Sequence, residues 1–288
     1  MARRHSSDVT IAEVIPNPTT DRLRPPYPPR IVAESDDFLI VDKPPFMMAH
    51  PSKPSDTATL WDELRALLAY ELANGGQISI INRLDRETSG ITLIAKHRTA
   101  ARHFHQLMER REITKSYHAI VFGWPAQDIW RIDAPILRQG AVRDSRVWVK
   151  QTVHPDGAAA ATRFQVTHRW VKNGAPFALI HAQPETGRMH QIRVHLAHSG
   201  HPIVGDKLYG VTEDCYLEFI ETGWTQSLAT RLLLPRQALH SGTLTADGHH
   251  WEIPLPPDLA AFVMRDARTG MRDAGCGMRD ARGRLLWK

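Results

Sequence analysis

Apolar positions along this chain follow two rhythms. Short β-rich runs at 31–33 and 38–41 surround the polar Ser35-Asp36-Asp37, which predicts a hairpin. From 57 to 72, Leu60, Trp61, Leu64, Leu67, Leu68 and Leu72 recur at helical spacing. Runs at 78–81 and 91–95 predict strands flanking a polar connection. Ala100, Phe104, Leu107 and Met108 fall on one face of a predicted helix over 97–111. Strand patterns follow at 117–122, 162–166 and 177–181, a helix at 191–198, and a last run at 251–253 that closes the body. Strands and helices mix without βαβ alternation. The expected fold is therefore α+β, a mixed and largely antiparallel sheet with peripheral helices.

The two ends break the pattern. Residues 1–29 are polar and proline-rich, ending in Arg24-Pro25-Pro26-Tyr27-Pro28-Pro29, and can form neither helix nor central strand. They read as a surface arm or a disordered leader before a body spanning 30–263. Residues 264–288 repeat Met-Arg-Asp-Ala at Met264, Met271 and Met278. Gly270, Gly275, Gly277 and Gly283 oppose a heptad helix there, so a flexible basic tail is expected.

Composition changes this picture little. Hydrophobic content of 42% and charged content of 23% suit a globular protein. No apolar run approaches the roughly 18 residues a membrane helix needs. The N-terminus has no apolar signal core, and Asp8 and Glu13 oppose a transit peptide. Two cysteines, Cys215 and Cys276, are too few for a disulfide framework or zinc site, so a cytoplasmic setting is expected. The net charge of +5 is mostly the tail, which holds seven Lys/Arg against three Asp. Local charge says more: 81–118 holds eight Lys/Arg against four Asp/Glu. That fits RNA binding and equally a solvated helix face.

The chemistry concentrates in three stretches. Ile81-Asn82-Arg83-Leu84-Asp85-Arg86-Glu87-Thr88-Ser89-Gly90 sets Asp85 between Arg83 and Arg86 in a polar loop. A neighbouring guanidinium keeps a carboxylate ionised and competent as nucleophile or base. A salt-bridged surface turn would look the same. Gly187-Arg188-Met189-His190-Gln191-Ile192-Arg193 crowds donors around a turn before a helix, which suits an anionic partner. Gly200-His201-Pro202-Ile203-Val204-Gly205-Asp206-Lys207-Leu208-Tyr209-Gly210 follows. His195, His198 and His201 lack the carboxylates or cysteines of a metal site, and no phosphate or dinucleotide loop is present; neither metal nor cofactor is called for.

Together these stretches resemble the RluA-type pseudouridine synthases. The resemblance extends to Asp42-Lys43-Pro44 and its flanks, to Lys115-Ser116-Tyr117 and to Leu239-His240-Ser241, all in family order over roughly 31–262. It implies an RNA isomerase that converts uridine to pseudouridine in ribosomal or transfer RNA, without cofactor and as a monomer. It implies Asp85 as the catalytic carboxylate, Arg193 as its partner and Tyr117 at the base. Arg83 would fill the gap left by a flipped nucleotide, while Arg86, Arg188, His190 and Gln191 would bind substrate. Flipping is required because the reacting bond is inaccessible in a stacked helix. Asp85 could attack the sugar, attack the pyrimidine, or remove a proton from the sugar. Three positions depart from the family pattern: Asn82 where histidine is common, Met189 where threonine is common, and Pro45-Phe46 where a small residue and glycine are common. These bear on RNA contacts more than on chemistry. A decayed, non-catalytic RNA-binding protein and a nucleoside hydrolase are the rivals. Pseudouridine, free uracil or neither as product separates the three.

Overall fold

The computed structural model describes residues 23–51 and 58–264. Its strands in chain order are β1 (Arg30–Glu34), β2 (Phe38–Lys43), β3 (Ser79–Ile80), β4 (Ser89–Ala95), β5 (Thr114–Phe122), β6 (Ile129–Asp133), β7 (Ile136–Arg138), β8 (Gln151–Val153), β9 (Ala161–Lys172), β10 (Ala175–Pro184), β11 (Leu239–Ala246) and β12 (His249–Glu252). Ten of them form one sheet, in the order β1-β2-β4-β11-β5-β10-β9-β6 with β12 on β11 and β3 on β4; β7 and β8 pair separately. All pairs in the large sheet are antiparallel except β4 with β11. The fold is α+β, as the mixed pattern predicts.

Helices cover the sheet where their apolar faces dictate. Helix α1 (Leu60–Leu67) starts at a capping box, in which Thr59 and Asp62 satisfy each other's backbone N–H. Leu60 and Leu64 pack with Leu39, Val41 and Ile94 of β2 and β4. The predicted helix over 57–72 parts at Leu68 (φ −98°), and the short α2 (Ala69–Ala73) that follows buries no side chain. Helix α3 (Arg98–Glu109) is capped by the His97 ring, which accepts from the Ala100 N–H at 3.2 Å. Its Ala100, Ala101, Phe104 and Leu107 join β2 and β4 residues in a second cluster. Phe104 is 2% exposed; truncating such a residue to alanine costs about 3–5 kcal/mol. The largest cluster joins β5, β9 and β10 to α4 (Gln191–His198) and α7 (Pro257–Met264).

Several elements exceed the sequence reading. The apolar run at 162–166 belongs to a strand from Ala161 to Lys172. The stretch between the last two signature motifs folds into α5 (Asp214–Thr222) and α6 (Gln226–Leu232), packed through Cys215, Leu228 and Leu232. The body does not close at 251–253: α7 follows, and Leu259 and Phe262 enter the largest core cluster. At the other end, Arg86 Nη2 donates to the Leu23 carbonyl at 2.8 Å and the Arg30 guanidinium lies over the Tyr27 ring. The Met-Arg-Asp-Ala repeats at Met271 and Met278 and the first part of the proline-rich arm lie outside the described residues. Among the described residues no helix is long and apolar enough to cross a membrane.

Candidate active site

The parallel pair β4–β11 creates the site. Ser89 opposes His240 and Gly90 opposes Ser241, so the loops leading into the two strands emerge side by side. One carries Asp85 and the other Gln237, 152 residues apart in sequence. The strands approach so closely that a Cβ on Gly90 (φ 117°) would lie 2.3 Å from the Ser241 carbonyl oxygen, which leaves room only for glycine. On the far side of β11, Tyr117 of β5 opposes Ser241. Helix α4 brings the third component from across the sheet.

Asp85 Oδ2 accepts from Arg193 Nη1 at 2.7 Å and from Gln237 Nε2 at 3.2 Å. Arg193 in turn clamps Asp206, donating Nε to Oδ2 at 2.7 Å and Nη2 to Oδ1 at 2.9 Å. One guanidinium thus serves two carboxylates. Asp206 is fully buried and also accepts from the Leu208 and Tyr209 N–H groups at 2.9 and 3.0 Å. Asp85 is different: its side chain keeps 31% exposure, so it alone of the trio is open to a substrate. Burial pushes the Asp85 pKa up, but Arg193 outweighs it, helped by the Gln237 hydrogen bond and by His190 whenever that ring is charged. The net effect holds the carboxyl below its ordinary value, ionised at neutral pH. Burial alone would also raise Asp206, and again Arg193 reverses the sign.

Tyr117 is buried, and burial pushes its hydroxyl up to about 12; the Asp85 charge adds to the rise and Ser241 opposes it. It therefore stays protonated at neutral pH. Lys43, the lysine of the Asp-Lys-Pro block, is wholly buried, with its pKa brought down to about 7 by desolvation and by Arg236. Its Nζ donates to the Pro44 and Met47 carbonyls at 2.8 and 2.9 Å and reaches that of Arg86 at 3.4 Å, tying β2 to the Asp85 loop.

The structure gathers Asp85, Tyr117, Arg193 and His190, whose Nε2 lies 3.9 Å from Asp85 Oδ2. Arg83 is exposed beside this loop, and Arg86 turns to the arm. Arg188 is exposed and donates to the Ala159 carbonyl at 3.1 Å. Gln191 is buried and its amide is fully used: Oε1 accepts from Thr186 Oγ1 and the Arg188 N–H, and Nε2 donates to the Ala161 carbonyl and Thr162 Oγ1. It holds the turn that aims α4, and it has no donor or acceptor left for RNA. His195 and His201 serve the Thr162 hydroxyl and the Ala134 and Phe122 carbonyls.

The departures from the family pattern are also accounted for. Asn82 is buried; it donates to the Ile91 carbonyl at 3.0 Å and accepts from the Leu93 N–H at 2.7 Å, fastening its loop to β4. Phe46 stands in the left-handed region at φ 65°, where glycine is free of strain, and it is buried. Met189 is exposed. Sequence reasoning missed Gln237, Asp206 and Tyr209 as site components. The last two lie within a quoted motif; the first had no local signal.

An ionised carboxylate fixed by a buried arginine and left open on one side is a site built for base or nucleophilic chemistry. The RNA pseudouridylate synthase family model matches residues 37–198. Ribosomal large subunit pseudouridine synthase D of Nitrosomonas europaea is 34% identical over 82% of this chain and 64% of that protein. The protein of the same name from Haemophilus ducreyi is 37% identical over 64% of this chain and 53% of its own length. The chain thus spans less than two thirds of these two relatives. The human RNA pseudouridylate synthase domain containing 4 superposes with a TM-score of 0.63 at 24% identity, covering 82% of this chain and 92% of that one, and so shares the fold. The chain belongs to the RNA pseudouridylate synthase family, in its RluA-type branch.

Proposed function

We propose that this protein isomerises specific uridines of structured RNA to pseudouridine, with Asp85 as the catalytic carboxylate. One observation carries the reading: at the family's aspartate position stands a carboxylate held ionised by Arg193 Nη1 at 2.7 Å, with one side exposed. The names of the two bacterial relatives favour large-subunit ribosomal RNA over transfer RNA as the target. In this reading the target nucleotide flips out of its helix, Arg83 takes its place in the stack, and Asp85 meets the sugar carbon. Tyr117, protonated and buried, packs against the base. The bond between the sugar and uracil N1 breaks, the base turns, and the sugar bonds to C5; C5 gives up its proton and N1 gains one, so atoms and electrons balance and no cofactor is required. The reading includes a cytoplasmic protein acting as a monomer, with residues 264–288 dispensable for chemistry. A chain lacking them should keep its rate at saturating RNA and bind more weakly at low salt, because arginines are lost.

The test is to map pseudouridines in RNA from cells with and without the gene, then restore them with purified protein. Loss of specific ribosomal sites and their restoration in vitro support the reading. Free uracil as product would reveal a hydrolase; an unchanged map with no activity on any RNA would leave a non-catalytic binder.

A further inference from the structure

His190 precedes α4 in the left-handed region, at φ 57° and ψ 17°. A histidine there is uncommon, and such strained positions persist only where surrounding contacts hold them. The contacts are specific. His190 Nδ1 lies 2.8 Å from the Tyr209 hydroxyl, and that hydroxyl accepts from the Gln151 N–H at 2.8 Å. Among the described residues these are the two hydrogen-bond partners of the Tyr209 oxygen. With the Gln151 N–H already donating to that oxygen, the arrangement that gives the tyrosine's one proton a partner sends it to His190 Nδ1, whose lone pair accepts it; that tautomer is assigned from the network. Tyr209 is in no position to lose that proton, since burial pushes its pKa up.

A neutral imidazole that accepts at Nδ1 must carry its proton on Nε2. His190 is neutral at pH 7: desolvation and then Arg193 bring its pKa down to about 4. The Nε2–H faces Asp85 Oδ2 at 3.9 Å, beyond hydrogen-bond length, and that oxygen is already served by Arg193 and Gln237. The site therefore contains a preset neutral donor, unspent among the described residues, beside the open carboxylate.

This inference rests on the proposed isomerase reading and deepens it. We infer that His190 is a catalytic residue, whose Nε2–H donates a hydrogen bond to O2 of the target uracil as the glycosidic bond breaks. With Asp85 at the anomeric carbon, the atoms within reach of a donor beside it are those flanking that carbon, uracil O2 and the ribose 2′-hydroxyl. When the bond from the anomeric carbon to N1 breaks, its electron pair passes to the uracil ring and is shared between N1 and O2. A donor preset at O2 stabilises that charge, and the proton stays on Nε2 throughout. A neutral imidazole suits this, because a cation at the same point would pair with Asp85 instead. Tyr209 acts as a positioning residue through His190; its ring also lies 5.0 Å from the Arg193 guanidinium carbon.

The test is a cycle between side chain and substrate atom, run at single turnover on a synthetic stem–loop carrying the mapped uridine. Uridine, 2-thiouridine and 2′-deoxyuridine are placed at the target. The variant is His190→Asn, because asparagine tolerates the left-handed backbone yet is too short to place the donor. With uridine, the variant should lose about 10²-fold in rate, as loss of one oxyanion-type donor does. In the wild type, sulfur at position 2 should slow the reaction; in the variant, the same change should cost no more than about twofold further, because the contact is already gone. In parallel, nitrogen NMR of the wild type at pH 7 should find His190 protonated on Nε2 and not on Nδ1, with Tyr209→Phe losing that preference and falling between the wild type and His190→Asn in rate. Additive penalties with 2-thiouridine, an Nδ1–H tautomer, or coupling to the 2′-deoxy change instead would each overturn the proposal. A wild type inactive on every RNA sinks the functional reading itself; an active wild type with additive penalties sinks only this contact.

Discussion

Two charge clusters in this protein are mirror images in composition and opposites in setting. At the site, one guanidinium, Arg193, serves two carboxylates, Asp85 and Asp206. At the β6–β9 edge, one carboxylate, Glu185, serves two guanidiniums, Arg131 and Arg163, which face each other directly across the strand pair. Like charges opposed on a sheet repel, and Glu185 relieves that. In the first cluster Arg193 and Asp206 are dry, at 8% and 0% side-chain exposure, and only Asp85 is open; in the second, Arg163 is 67% exposed. Both clusters shift carboxyl pKa values down, Glu185 to about 2 through its hydrogen bonds to Arg131 and Arg163. The lesson is that a shift in the same direction means different things. Water screens the edge cluster and can replace any member. No water replaces Arg193, so its loss strands a buried charge.

Short of removing Asp85 itself, Arg193→Ala should have the largest effect. Breaking a buried pair by deleting one partner costs about 3–5 kcal/mol, so this variant should lose both activity and stability, with calorimetry and single-turnover rates reading each. Its pH dependence sharpens the point. Asp85 is ionised above its depressed pKa, and activity should be lost as pH falls through that value. Without Arg193 the burial effect is opposed only by the Gln237 hydrogen bond and by His190 when charged, so the acid limb of the rate profile should move to higher pH. A variant as active and stable as the wild type, with an unmoved acid limb, would break the contrast between the clusters.

Asp206→Asn should come next. It keeps the shape but leaves Arg193 with one carboxylate, so the guanidinium should be held more loosely against Asp85. Stability should also respond. The Asp206 contribution is complete above the ordinary carboxylate pKa and is lost as pH falls through its lower folded value. The difference in Tm between wild type and variant should therefore shrink on acidification. A difference that grows toward low pH would contradict the sign. Glu185→Gln should be the mildest, moving Tm by less than about 3 °C and leaving the rate unchanged. A large loss there would show that the edge cluster is not an ordinary surface network.

The two regions also differ in how far the sequence revealed them. Amphipathic elements were readable: α3 follows from Ala100, Phe104 and Leu107, and the β1–β2 hairpin from its alternating turn and apolar runs. Helix α4 shows no such stripe, because residues 191–196 are all buried; it was readable from the run that follows the Gly187 turn. Asp85, Tyr117 and Arg193 lie in motifs, which single them out as candidates. Gln237 could not be, because its place beside Asp85 comes from the parallel pairing of strands far apart in sequence. Tyr209 lay within a quoted motif, but its bond to His190 depends on the Gln151 backbone, which only the folded chain supplies. Gln191 was expected among substrate contacts because it shares a donor-crowded turn with Arg188, His190 and Arg193. Four internal hydrogen bonds account for it instead.

Asp85→Asn tests the central claim most directly. The substitution keeps the shape of the side chain and removes the charge that Arg193 holds in place. Rate and RNA affinity must come from one preparation whose fold circular dichroism has confirmed. The account predicts no detectable pseudouridine even in a long single-turnover incubation, with RNA affinity within about tenfold of wild type because phosphate contacts dominate it. Substantial pseudouridine formation by the folded variant would contradict it.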